Sequence, residues 1–553
     1  MTLHSSEANS NVFTVSLLAL ITAVFYYPLL GAWFLGDDTQ WMWFSAVNPL
    51  WKIFFDSDTY LYINDANFTP MLGLSFKIDW NLFHMNPVGY NVHTFLSLWA
   101  SSVMLYLFIR LFTGRTSAFL GSLLFIVNPA AVAVVSCHSN RHYMEGMFWA
   151  LLSLYLFFRN EKESKPLLLF FSVCAYLLSS LSKEVYLILP ALMFIFINGD
   201  TAKRTKITLP FWIALLVYLV WRWFMLGGSM GGYYFIDWSL KGLLSNVVMA
   251  VILPVRYVYG TYWPVFPAAV FLISVFMLTR QERYRMYMKA SAAYLIALVP
   301  VIPVMAIFLP SGPSGGRYAF HVSTVLIILA TLTSHFMKNA RVFKIVLTVL
   351  FFCTLFAFYQ RSIYVREAFV IDRKTSQEET VKFLSNERYL NGVYPPWFYD
   401  GLGRLYGRFY GKQIVTGVFY EDALKYHERD VIESVKGAGA TPYLEAQKAM
   451  HTGPLDIEIT WNGRSVRWMF GPEEVAFYHL LLRKEKELYY LYPPVKRSGS
   501  HFFARGFADN ENIYIRILYR LPDGTEVVSP EIKIFIPGNG SYQFKAETRP
   551  ATG

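Results

Sequence analysis

Residues 11–35 read NVFTVSLLALITAVFYYPLLGAWFL, a run without one charged side chain. A helix rises about 1.5 Å per residue, so about 20 apolar residues cross the roughly 30 Å hydrocarbon core of a bilayer. The run is too long for a signal-peptide core, no lysine or arginine precedes it, and no small-residue cleavage site follows, so it reads as a retained first span. The whole chain shares this character: 55% of its 553 residues are hydrophobic and 16% charged, against roughly 25% charged in soluble domains. One apolar core cannot bury that much, so lipid must take up part of it.

Apolar runs near 12–35, 89–110, 116–136, 144–159, 166–181, 185–198, 207–227, 264–280, 290–309, 319–336 and 342–362 predict eleven spans. Alternate loops carry Arg110 and Arg115; Arg159, Lys162 and Lys165; Lys203, Arg204 and Lys206; Arg280, Arg283, Arg285 and Lys289; and Lys338, Arg341 and Lys344. The positive-inside rule assigns these loops to the cytoplasm. An odd number of spans then puts the N-terminus inside, and the C-terminal tail and the loops at 36–88 and 228–263 outside. The net charge of +11 is scattered over membrane loops, which fits orientation rather than nucleic-acid binding. Cys137, Cys174 and Cys353 lie in or near apolar runs and form no disulfide framework or zinc spacing.

Both long outer loops are aromatic. Trp41, Trp43, Trp51, Phe54 and Phe55 in the first, and Tyr233, Tyr234 and Trp238 after the glycines of the second, suit helices lying in the interface. The chain thus divides into a membrane domain (1–363), a mixed connecting region (364–448) and a β-rich domain (449–553). Period-two patterning at 455–461, 513–519 and 531–536, with the turn formers Pro522-Asp523-Gly524, predicts a soluble α+β or β-sandwich domain.

The chemistry-bearing residues gather at the outer ends of spans. Asp37-Asp38 stands just beyond the first span, where such a pair suits a general base, a metal or a cationic ligand, or else a solvated helix cap. In Leu181-Ser-Lys-Glu184, Lys183 could neutralise a phosphate while Glu184 holds it in place, or the two could pair with each other alone. Arg141, Arg222, Arg256 and Arg317 lie on the same side, and cations converging there suit an anionic headgroup or a departing phosphate. His84, His93 and His138 show no metal-ligand spacing.

In this order the motifs resemble those of GT-C membrane glycosyltransferases, in the branch that includes the tetratricopeptide-containing O-mannosyltransferases and their bacterial relatives. Asp37-Asp38 is similar to the acidic pair opening that family's first outer loop. Asn67-Phe-Thr-Pro70, Leu74-Ser-Phe76 and Asn86-Pro-Val-Gly-Tyr90 follow it, then Ser139-Asn-Arg141, Leu181-Ser-Lys-Glu184 and Arg317-Tyr318. Thr69-Pro70 stands where Arg-Pro is common, Tyr143 replaces an aspartate, and no tetratricopeptide repeats follow. The resemblance implies an inverting transfer of a sugar from a polyprenyl-phosphate donor to a hydroxyl on the periplasmic side of a bacterial inner membrane. Asp37 carries over as base and Asp38 as its supporting carboxylate. Lys183, Arg141, Arg317 and Arg256 would hold the donor phosphate, with Ser182, Glu184 and Tyr318 in support. No cofactor is required, although the aspartates leave a divalent metal open. The acceptor stays open among a protein, a glycan and a lipid.

The rival expectation is a transporter or flippase of lipid-linked sugars, with the outer domain binding a partner. Such proteins carry repeats and midplane charges, whereas here no repeat is evident and the charges gather at the outer ends.

Overall fold

The computed structural model describes residues 2–61, 63–64, 66–228, 239–264, 266–267, 270, 274, 281–307, 315–336, 341–385 and 396–410, and nine strand segments between 455 and 548. The first ten helices are α1 (Thr2–Tyr26), α2 (Asp38–Val47), α3 (Leu50–Phe55), α4 (Ser57–Leu61), α5 (Pro70–Phe83), α6 (Pro87–Arg110), α7 (Arg115–Ile126), α8 (Pro129–Val135), α9 (Arg141–Glu163) and α10 (Pro166–Ser182). They are followed by α11 (Leu189–Phe196), α12 (Thr201–Met225), α13 (Leu240–Tyr259), α14 (Gln281–Leu298), α15 (Gly316–Phe336), α16 (Arg341–Ser385) and α17 (Pro396–Tyr410). The chain forms two compact units: residues 1–34, 45–232 and 236–374 make the first, and residues 35–44, 233–235 and 375–553 the second.

The protein is a polytopic helical membrane protein. Among the described residues, five helical stretches have the length and apolarity of a span: Asn11–Leu29, Pro87–Arg110, Thr201–Met225, Leu240–Tyr262 and Thr348–Val381. A sixth forms if α7 and α8, bent by 54° at their junction, are one broken span. The break falls at Asn128-Pro129, where Pro129 cannot donate into the preceding turn and the Asn128 side chain caps α8 through the Ala130 N–H at 3.0 Å. Proline at the first helical position likewise starts α5, α6 and α10. Leu240–Tyr262 differs from the expectation of a helix lying in the outer interface. Lys241, Asn246 and Arg256 interrupt its hydropathy, yet the remaining residues give it the apolarity of a span. The predicted span at 264–280 lies largely outside the described residues.

Close helix packing in the first unit relies on small residues and hydroxyls. α9 and α10 exchange hydrogen bonds through Ser153 Oγ to the Ser172 carbonyl (2.8 Å) and Ser172 Oγ to the Ser153 carbonyl (2.7 Å). At the start of α15, a Cβ on Gly316 would stand 2.5 Å from Ala133 Cβ of α8 and 2.5 Å from the Tyr257 hydroxyl of α13.

In the second unit, the strand expectations at 455–461, 513–519 and 531–536 meet β1 (Leu455–Trp461), β6 (Glu511–Arg520) and β8 (Ile532–Ile536). β2 (Ser465–Phe470), β5 (Ser498–Phe502) and β9 (Tyr542–Thr548) join β1 in an antiparallel sheet of order β5-β2-β1-β9. A five-stranded sheet runs β4 (Tyr490–Val495), β3 (Tyr478–Lys484), β6, β7 (Glu526–Val528), with β8 also paired to β6. The turn residues 522–524 and most of the connecting region lie outside the described residues.

Gly316→Ala should therefore push α15 off α8 and α13. The expected cost is that of an overpacked contact, about 1–3 kcal/mol, read as a lowered thermal midpoint in detergent. An unchanged midpoint would mean that the three helices do not meet this closely.

Candidate active site

Asp37 and Asp38 lie in the second unit at the start of α2, after Gly36 turns the chain with φ of +54°. Asp38 is fully buried, and its carboxylate accepts the Leu35 N–H at 2.9 Å. The Asp37 carbonyl accepts the Trp41 N–H at 3.1 Å, while the residue as a whole stays half-buried. Thr39 Oγ1 donates to the Phe398 carbonyl of α17 at 2.8 Å, and a Cβ on Gly401 would meet the Thr39 carbonyl carbon at 2.6 Å. The two carboxylates are thus unequal. Asp38 stabilises the turn that presents its neighbour, and Asp37 keeps access to solvent.

In the first unit, the break between α10 and the short 3-10 turn Glu184–Ile188 separates Lys183 from Glu184. Lys183 has extended backbone (φ −157°, ψ 136°), and successive side chains of an extended chain point to opposite sides. Glu184 consequently pairs with Arg222, not with Lys183 as the sequence suggested. Arg222 Nε donates to Glu184 Oε1 at 2.6 Å, and the same oxygen accepts the Phe68 N–H at 3.0 Å. Arg222 Nη2 reaches the Ala66 carbonyl at 3.1 Å and the Tyr218 hydroxyl the Phe68 carbonyl at 3.0 Å. The Asn67–Pro70 and Leu181–Glu184 motifs meet at this ion pair.

Lys183 turns the other way. It is 8% exposed, its ammonium stands 4.9 Å from the centroid of the Tyr143 ring, and it has no ion-pair partner among the described residues. The Tyr143 ring packs at 4.7 Å on that of His142, which is 7% exposed. Arg317, at the start of α15, lies 4.9 Å over the Tyr318 ring, with Nη2 donating to the Tyr318 hydroxyl at 3.1 Å and Nη1 to Asn140 Oδ1 at 3.4 Å. Its charge reaches both His142 and Tyr143. Ser182 turns its hydroxyl to the Leu178 carbonyl at 2.8 Å, inside its own helix.

Arg141 has a different environment from these cations. It is fully buried, with Nη1 2.5 Å from Asp79 Oδ2, Nε 3.1 Å from Glu145 Oε1, and its guanidinium 5.4 Å over the Phe76 ring. Ser75 Oγ donates to Glu145 at 2.6 Å, and His93 Nδ1 meets Asp79 Oδ1 at 2.6 Å. Its charge is therefore matched by two carboxylates that join α5 to α9. Arg256 is exposed on α13 and takes no part in the Lys183 contacts among the described residues.

One residue that sequence reasoning missed is Arg373, fully buried on α16. Its guanidinium donates to the Trp33 carbonyl, to Asn91 Oδ1 at 3.0 Å and to His138 Nε2 at 2.6 Å. Burial, followed by the charges of Arg373 and Arg141, holds the His138 pKa well down, so its ring nitrogen is free to accept. Asn91 Nδ2 faces the Leu30, Ala32 and Pro87 carbonyls at 2.9–3.0 Å. An arginine followed by polar residues looked like the start of a soluble tail, which hid this role. Among the described residues, no three of His, Cys, Asp and Glu form a group able to hold a metal ion.

With this geometry in hand, comparison with known proteins supports the resemblance drawn from the motifs. Residues 68–224 match the family described as dolichyl-phosphate-mannose-protein mannosyltransferase, a GT-C family, so this segment resembles that of a GT-C transmembrane glycosyltransferase. The match covers Phe68–Pro70, Leu181–Glu184 and Arg222, the segments joined by the Glu184–Arg222 pair. No curated protein matches the sequence. Among solved structures, an oligosaccharyltransferase of Archaeoglobus fulgidus in complex with zinc and sulfate aligns at 14% identity and a TM-score of 0.40, over 65% of this chain and 53% of that one. The oligosaccharyltransferase AglB of the same organism, in complex with an inhibitory peptide and a dolichol-phosphate, aligns at 13% identity and a TM-score of 0.39, over 78% of this chain and 64% of that one. The chain thus spans less than two thirds of either structure.

The Arg141 cluster predicts a sharp stability effect. Asp79→Ala leaves a fully buried guanidinium short of one carboxylate and should cost about 3–5 kcal/mol. The double variant Asp79→Leu/Arg141→Met removes both charges and should recover much of that loss in thermal unfolding. Equal stability of Asp79→Ala and the native protein would show that the pair carries no weight.

Proposed function

We propose that the chain is an inverting glycosyltransferase that moves a sugar from a polyprenyl-phosphate donor to a hydroxyl acceptor on the periplasmic side of a bacterial inner membrane. The observation that carries this reading is Lys183, a buried ammonium set over the Tyr143 ring and near enough to His142 for its charge to act there, with no ion-pair partner among the described residues. Burying an unmatched charge is costly unless a ligand completes it. A phosphate is the fitting ligand, since Lys183 and Arg317 both supply donors and charge. The basic-loop pattern supports the assignment of sides, and the matched family makes polyprenyl-phosphate mannose the first donor to test and a periplasmic protein the first acceptor.

In the proposed reaction the acceptor hydroxyl gives its proton to Asp37 as its oxygen bonds to the anomeric carbon. The bond from that carbon to the phosphate oxygen breaks on the opposite face, which inverts the configuration. The electron pair stays on the phosphate, and Lys183 and Arg317 stabilise the added charge. Asp38 and Tyr318 support these groups, Glu184 fixes the Phe68 loop, and Arg141 fixes α5 against α9. Arg256, exposed on α13, is proposed as a further phosphate contact. The two antiparallel sheets of the second unit are proposed to form a periplasmic sandwich.

Two substitutions test the scheme in purified protein in nanodiscs. Lys183→Met should weaken donor binding by about 1.5–3 kcal/mol, the range for a charge-assisted contact. Retained affinity in a folded variant would return Lys183 to a packing role. Asp37→Asn should bind donor normally and lose about 10²–10⁴ in turnover, with Asp38→Asn losing stability as well because its carboxylate caps the turn. A fully active Asp37→Asn protein would remove it as the base, and a fully active double aspartate variant would favour the transporter reading. A C-terminal tag is expected to report periplasm, and a tag at Lys203 cytoplasm.

A further inference from the structure

His142 is assigned no role by the sequence motifs, where only the arginine beside it stood out. Its imidazole is buried against Tyr143, and neither ring nitrogen makes a well-formed hydrogen bond among the described residues. Among the described residues the Ser139 backbone faces it, and the charges that act on it are positive. Lys183 comes from the end of α10, Arg317 from α15 and Arg141 from its own helix. A buried imidazole without good partners normally loses the free energy of the missing hydrogen bonds. Here it stands beside Lys183, which has no ion-pair partner among the described residues, where an anion would complete both.

We infer that His142 is a third contact to the lipid-linked phosphate, donating a ring N–H to a non-bridging or departing phosphate oxygen. The inference rests on the proposed glycosyltransferase reading and adds to it a residue and a coupling to protons. As the bond from the anomeric carbon to the phosphate oxygen breaks, the phosphate gains a negative charge and the His142 N–H strengthens its bond to it. No covalent bond to the histidine forms.

A pH dependence follows. In the empty site, burial and then the Lys183 charge hold the His142 pKa well below its usual value, with Arg317 and Arg141 adding to the effect. A bound anion opposes those charges and pulls the pKa up. Binding then takes up a proton, and affinity rises as pH falls through the bound-state pKa.

The test uses the full chain in phosphatidylcholine nanodiscs and farnesyl methyl phosphate as probe. This phosphodiester keeps a single charge across roughly pH 6 to 8, so any proton uptake is the protein's. The native protein should bind it more tightly at the acid end. His142→Gln should bind about tenfold more weakly there and lose most of the pH dependence. Farnesol should bind far more weakly than the phosphodiester, and inorganic phosphate should compete only at much higher concentration. Calorimetry in two buffers of different ionisation enthalpy should show proton uptake by the native protein, a readout that needs no variant to fold. Absence of uptake overturns the inference, as does native affinity and pH dependence in folded His142→Gln. Inorganic phosphate binding as tightly as the probe also overturns it, because the ligand would then be free phosphate. Should Lys183→Met abolish binding while His142→Gln binds as the native protein does, the phosphate site stands and this inference alone falls. If neither variant changes affinity, the glycosyltransferase reading of the site falls with it.

Discussion

The ion pair between Glu184 and Arg222 organises the first compact unit. One carboxylate oxygen accepts from a guanidinium 38 residues away and from the Phe68 backbone. The guanidinium in turn holds the Ala66 carbonyl, and Tyr218 holds that of Phe68. A loop that would otherwise bury unsatisfied peptide groups is thereby tied to the ends of two apolar helices. The same pairing leaves Lys183 without its neighbour's charge, because the extended backbone at that residue sends the two side chains apart. The structural pair and the unmatched lysine have one geometric cause.

The buried basic residues of this unit fall into two groups by what surrounds them. Arg141, Arg222 and Arg373 are each completed by the protein, through carboxylates, backbone carbonyls or a neutral histidine. Low dielectric makes such a charge costly when incomplete, so these three fix helices relative to one another and have little left for a ligand. Lys183 and His142 are completed mainly by aromatic faces. Cation–π contact contributes less than a carboxylate would, about 0.5–2 kcal/mol. This difference in matching, more than the presence of positive charge, separates a binding group from a structural one.

That distinction explains what the sequence made legible. Asn-Pro and Pro-initiated helix starts, the apolar runs and the period-two strands depend on local residue types, and they can be read directly. The motifs also pointed to the segments that meet in space. Partner choice was not legible. Arg141 and Lys183 look alike in sequence as outer-side cations, and the carboxylates that meet Arg141, Glu145 on its own helix and Asp79 on α5, 62 residues before it in the numbering, tell them apart. Arg373 escaped notice because its three acceptors lie on segments more than 200 residues upstream. α13 was hidden by the polar residues that break its hydropathy without breaking its helix.

Arg373 also accounts for how the chain leaves its first span. Pro28 ends α1 in a short 3-10 turn, and the carbonyls that follow lose their helical donors. Water would satisfy them at a surface, but this segment packs against α6 with Phe34 fully buried on Tyr90 and His138. Side chains must therefore supply the donors. Asn91 provides them for Leu30 and Ala32, and Arg373 for Trp33. Asn91 can serve both roles because its amide nitrogen donates to the span while its oxygen accepts from Arg373. The chain then passes through Gly36 into the turn that carries Asp37 and Asp38. The aspartates thus follow a backbone segment whose carbonyls are already occupied, and a neutral His138 is part of what keeps the arginine in position to do so.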